Sequence, residues 1–129
     1  MTGILKRRFD QARDIRPFAD GKGELAMLDL EGASVGLARF DPGWRWSEHV
    51  KPIAGTDSCQ APHAGYVMSG HMTVRMDDGS EENLDPGDVV TIAPGHDAWV
   101  VGQEPCRMLD WQGFTDSARP RTATGSTTA

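Results

Sequence analysis

Between Gly23 and Gly113 the apolar positions come in short runs, several of them alternating with polar residues, and each run stops at Gly, Pro, Asp or Asn. No stretch repeats apolar residues convincingly at i, i+3, i+4 and i+7, so the pattern favours strands over amphipathic helices. Strands are predicted at 24–30, 33–40, 44–50, 64–68, 72–76, 82–84, 89–92, 98–101 and 106–111. The breaks between them carry turn chemistry. Asp77-Asp78-Gly79 supplies a residue that accepts positive φ, and Asp85-Pro86-Gly87 presets a turn with Pro followed by Gly. Many short strands at this spacing predict an all-β barrel or sandwich.

Two regions fall outside the pattern. Residues 5–18 allow a turn or two of helix, ended by Pro17, but present no strong apolar face; residues 1–20 are read as an N-terminal arm that covers a sheet edge. The barrel domain is expected over 21–114. Residues 115–129 carry no large apolar side chain, which predicts a disordered tail. No internal repeat is evident.

A chain of 129 residues is sized for one domain. Its formal net charge of -6 argues against a nucleic-acid backbone as partner. No apolar run approaches the roughly 20 residues of a membrane-spanning helix. The first eight residues are too short and too charged for a secretory signal, and two cysteines imply no disulfide framework, so a cytoplasmic location is expected. Cys59 and Cys106 read as small buried hydrophobes, since no His can be placed beside either thiol from the sequence.

All four histidines, His49, His63, His71 and His96, lie in or beside predicted strands. Neutral imidazole is the commonest protein ligand for first-row divalent metals, and a barrel can bring side chains from several strands to one point.

The spacing around these histidines resembles the cupin superfamily, small β-barrels that commonly hold one metal ion. The first cupin motif runs Gly, five residues, His-x-His, a gap, Glu, six residues, Gly. Gly43-Trp44-Arg45-Trp46-Ser47-Glu48-His49 matches its opening, with His49 at the first His position and Lys51 at the second. An insert from Pro52 to Pro62 follows, and His63 stands seven residues before Gly70, in the phase of the motif's Glu. The second motif, Gly, five residues, Pro-x-Gly, two residues, His, is similar to the segment from Gly87 to Gly95. There Ala93 holds the Pro position, Pro94 follows, and Ala98 holds the His position. The resemblance spans roughly residues 30–112 and implies a double-stranded β-helix, or jelly roll.

It also implies a ligand set altered from the usual one. His49 keeps its position, His63 substitutes an imidazole for a carboxylate, His96 can swing into the gap left by Ala98, and Gln60 can lend an amide oxygen. Such a set suits Zn²⁺ best, with Fe²⁺, Ni²⁺ or Mn²⁺ as alternatives. If 44–50 is a strand, Arg45, Ser47 and His49 share one face and line the cavity, while Trp44 and Trp46 lie outside. The two Trp would then pack on the arm or on a second subunit; the opposite reading puts both Trp in the core and His49 outside. Lys51 either reaches the pocket as a cation or is carried out by the insert. Tyr66 is either a packing aromatic or a phenolic proton donor in the pocket. His71 reads first as a rim residue.

Cupins include dioxygenases, isomerases, epimerases, cyclases and lyases, as well as sensing modules. The chain is therefore expected to bind a small molecule at a mononuclear metal, as a metal-dependent enzyme. A non-catalytic sensor and a metal-free dimerisation barrel are the alternatives. Cupins frequently pair through sheet faces, so a homodimer is implied.

Overall fold

The computed structural model describes residues 3–112, the side chain of Gln112 excepted. The tail 115–129 lies outside the described residues. Among the described residues nine strands follow one another: β1 (Asp14–Pro17), β2 (Gly23–Leu30), β3 (Ala33–Phe40), β4 (His63–Ser69), β5 (His71–Met76), β6 (Glu81–Leu84), β7 (Val89–Ile92), β8 (His96–Val101) and β9 (Cys106–Gln112). They form two antiparallel sheets, one ordered β1-β2-β3-β9-β4-β7 and the other β6-β5-β8. The two sheets do not close into a single ladder. Their inward residues nonetheless share one core, with Leu25, Ala38, Val67 and Cys106 from the large sheet and Met72, Val74 and Ala98 from the small one.

Within the N-terminal arm, Asp14–Pro17 covers a sheet edge as a paired strand. β1 pairs residue for residue with β2, from Asp14 opposite Met27 to Pro17 opposite Glu24. It thus occupies the outer edge of the larger sheet, where an unpaired ladder would otherwise be exposed.

The predicted strand at 44–50 is not one. Trp46–His49 forms a helical turn, α1, and Lys51–Ala54 a second, α2. The cause is local chemistry. Within α1 the His49 N–H bonds the Arg45 carbonyl at 2.9 Å, while His49 Nδ1 accepts the Arg45 backbone N–H at 2.9 Å. Asp97 Oδ1 accepts the Ser47 N–H at 3.1 Å, which satisfies a donor that the first turn of a helix leaves open. Pro52 then enters α2 at its first turn and Gly55 leaves it with φ of 76°, the usual N-terminal Pro and C-terminal Gly order. Strand parity accordingly does not apply here. Both Trp44 and Trp46 are buried in the core, contrary to the face assignment that put Arg45, Ser47 and His49 inside.

Candidate metal centre and ligand cavity

Between the two sheets lies a cavity of about 60 Å³, walled by apolar side chains that include Trp44, Trp46, Val50, Met72, Ile92 and Met108. Its polar lining is His63, His96 and Asp110. Gly65 forms part of the wall, and a Cβ there would stand 2.3 Å from the Leu109 carbonyl oxygen, so β4 and β9 approach this closely only because that residue is glycine.

At the polar end Cys59, His63 and His96 offer ligand atoms that all lie within 4.8 Å of one another. Three parts of the chain supply them. His63 opens β4 and His96 opens β8, while Cys59 sits in the insert and forms an isolated bridge to His96. Main-chain hydrogen bonds lock that bridge, from Cys59 N to His96 O at 2.7 Å and from Gly95 N to Cys59 O at 2.7 Å. The insert is anchored further by Ser58 Oγ, which donates to Asp77 Oδ2 at 2.9 Å.

Each imidazole is oriented through its Nδ1. That of His63 pairs with Asp110 Oδ2 at 2.7 Å, and that of His96 with the Ala93 carbonyl at 2.9 Å. His63 Nε2 is left facing Cys59 Sγ at 3.6 Å. The rings of His63 and His96 meet edge to face, 5.3 Å between centroids.

The electrostatics follow from this packing. Burial alone would raise the Cys59 pKa, but hydrogen bonds and charge from His63 and His96 outweigh it, and the value falls to about 6. Burial alone would lower that of His63, but the hydrogen bonds from Asp110 and Cys59, with their charges, raise it to about 9. Both shifts have one direction: the contact favours a thiolate on Cys59 and a proton on His63. Cys106 behaves oppositely, pushed up to about 12 by burial and by Glu104, as befits a packed thiol.

The structure brings two of the four expected ligands, His63 and His96, into this group. His49 is buried elsewhere; its Nδ1 is taken by Arg45 and its Nε2 stands 3.8 Å from Asp20 Oδ2. Gln60 turns toward its own loop, donating to Ser58 Oγ at 3.0 Å, and is not part of the cavity wall. None of the four expected pocket residues lines the cavity either. Arg45 lies over the Trp99 ring at 4.4 Å and near Asp97 at 3.6 Å. Ser47 is held by Asp97 in α1. Lys51 stands 3.6 Å from the exposed Asp57, so the insert does carry it outward. Tyr66 is on the outer face of β4 and 39% exposed. His71, 2.8 Å from Asp85, is a surface residue.

Two residues of the site were not expected. Cys59 stands four positions before His63, a spacing common among metal ligands, and that was its signal. Asp110 shares the inward phase of Cys106 and Met108 on β9, and a carboxylate on a buried face requires a partner.

Comparisons with known proteins agree with the fold. The polyketide cyclase RemF from Streptomyces resistomycificus superposes with a TM-score of 0.57 at 19% identity, over 83% of this chain and 78% of that one. An RmlC-like cupin from Shewanella frigidimarina gives 0.54 at 18% identity, over 81% and 87%. The oxalate decarboxylase of Lactobacillus farciminis gives 0.51 at 20%, over 74% of this chain and 30% of that one. No curated protein matches in sequence. Residues 43–108 match the EutQ-like cupin domain family, and with the two facing antiparallel sheets and the interior site this places the chain in the cupin superfamily, as a member of that family.

Proposed function

We propose that the chain binds a small molecule beside one divalent transition metal ion, held by Cys59 Sγ and the Nε2 atoms of His63 and His96, and that it is a redox-neutral enzyme of the lyase, isomerase or cyclase kind. The observation that carries this reading is the converging donor set with both Nδ1 atoms already engaged. Imidazole ligands commonly donate their other N–H to a carboxylate or a carbonyl, and here one does each. A thiolate with two imidazoles favours Zn²⁺, with Fe²⁺ and Ni²⁺ next; the absence of a carboxylate from the set makes Mn²⁺ the poorest match. When bound, the metal would supply a Lewis acid at a position open to the ligand. The chain's own part is to fix the ligand atoms, to keep the Nδ1 proton on His63 through its bond to Asp110 and to exclude water with apolar walls. Elemental analysis of protein purified without added metal tests this. About one equivalent of zinc, iron or nickel per chain is expected. Protein that is metal-free and takes up none on titration would leave the metal-free barrel as the better reading. A panel of small substrates then separates enzyme from sensor.

The buried free thiols of Cys59 and Cys106 suit a reducing compartment, in keeping with a cytoplasmic location. A homodimer is part of the same proposal, through a different face from the one the Trp residues suggested. On the outer side of the larger sheet Ile15, Ala26, Leu37, Leu109, Tyr66 and Val89 stand in register, with Ala26 buried, Leu37 and Leu109 half-buried, and Ile15, Tyr66 and Val89 exposed. Val89 is 72% exposed and Ile15 40%. A second copy offers the same stripe about a two-fold axis. Light scattering is expected to give the mass of two chains, and the double variant Tyr66→Lys, Val89→Lys the mass of one. A single-chain mass for the parent protein removes the dimer from the reading.

A further inference from the structure

The cavity has a direction, and strand register fixes it from both sheets. In the larger sheet Asp110 of β9 stands in the row of Gly36 and Gly65, Met108 in the row of Ala38 and Val67, and Cys106 in the row of Phe40. The four steps of strand from Cys106 to Asp110 span about 13 Å at ~3.3 Å per residue. The smaller sheet repeats the order on β8. There His96 stands opposite Met76, and Val100, four residues on, stands opposite Met72. Val100 N donates to the Trp44 carbonyl at 3.0 Å, and the Trp44 ring lies 4.4 Å from that of Phe40 and 5.7 Å from that of Phe18. One end of the cavity therefore holds His63, His96 and Asp110 together, and the other holds Phe18, Phe40 and Trp44. The Trp44 Nε1 is itself buried, so that residue shows the cavity only carbon.

We propose that the ligand is a short, unbranched aliphatic compound with a single oxygen function, its oxygen at the His63–His96 end and its chain running past Met108 toward Phe40 and Trp44. This rests on reading the cavity as a ligand site beside a metal, and adds the class and the orientation of what it holds. Two features select that class. A second polar group on the chain would be carried to the aromatic end, where it would lose its water and meet ring carbon. The volume of about 60 Å³ is well below the roughly 150 Å³ of an apolar cavity that admits benzene, which shuts out rings and branched bodies.

The test uses the full chain labelled with ¹³C and ¹⁵N, stripped with a chelator and then reloaded with zinc, and titrated in both states with three alcohols. Propan-1-ol is the fitting probe. Ethane-1,2-diol is its isostere with a hydroxyl in place of the far methyl, and 2-methylpropan-2-ol is the branched control. Propan-1-ol is expected to bind about ten-fold more tightly than either. Its methyl protons should show nuclear Overhauser contacts to Met108 or to the Trp44 ring, and its C1 protons to the rings of His63 and His96. Equal affinities for propan-1-ol and the diol, tighter binding of the branched alcohol, methyl contacts to the two His rings instead, or no binding of propan-1-ol overturns the proposal. Zinc uptake alongside any of those results would leave the metal reading standing without it. The expected preference and contacts in protein that takes up no zinc would sustain the proposal while removing the metal from the function.

Discussion

Serine in place of Cys59, or alanine in place of His96, is expected to reduce the metal recovered with the purified chain to about a tenth of the parent amount or less. Loss of a partner that merely orients a ligand commonly costs 10–100-fold in metal affinity, and these substitutions remove ligands themselves. Asp110→Asn belongs to the weaker class. It keeps the shape of the side chain but withdraws the charge that holds the His63 ring, so a roughly 10–100-fold loss of affinity is expected by competition with a coloured chelator. His49→Ala serves as the contrast. That ring is engaged by Arg45 outside the group, and its removal should leave metal content at the parent level. Parent-level metal in both Cys59→Ser and His96→Ala would refute the assignment.

The second large effect concerns stability. Gly70 turns the chain from β4 into β5 with φ of 75°, and a Cβ there would stand 2.4 Å from the Pro105 carbonyl oxygen and 2.6 Å from Cys106 Cα. Gly70→Ala therefore adds backbone strain to a collision that no side-chain rotation can relieve. About 2–5 kcal/mol is expected, the sum of a left-handed penalty of ~1–2 and an overpacking cost of ~1–3. That corresponds to a fall in Tm on the order of 10 °C by calorimetry. Gly79 separates the two contributions. Its φ of 93° is comparable, but nothing lies within 4 Å of its Cβ position, so Gly79→Ala should cost only about 1–2 kcal/mol. Equal losses in the two variants would show that the approach of β4 to the Pro105–Cys106 segment carries no weight.

The strands were legible wherever alternation and turn residues agreed. The run 33–40 coincides with β3 and 89–92 with β7, and the other matching runs differ from their strands by one or two residues at an end. The run 44–50 misled because Trp44-Arg45-Trp46 alternates as a strand does, while the groups that bend it into α1 are Asp97, some fifty residues on, and the ring of His49 itself. Pro52 and Gly55 stand at the entry and exit of α2, a helix signal that the reading of 52–62 as an insert passed over. Motif phase carried His63 and His96 into the site. It could not supply Cys59, whose place depends on an irregular insert bridging to β8, and it drew in His49, whose ring a single helical turn redirects.

Strand β9 gives its inward positions to the Asp110 carboxylate and the Met108 side chain, and its outward position 109 to the exposed stripe. One peptide unit separates a group that steers an imidazole from one that would touch a neighbouring molecule. If two copies pair through that face as proposed, the strand that carries the contact is also the one that holds the His63 ring through Asp110.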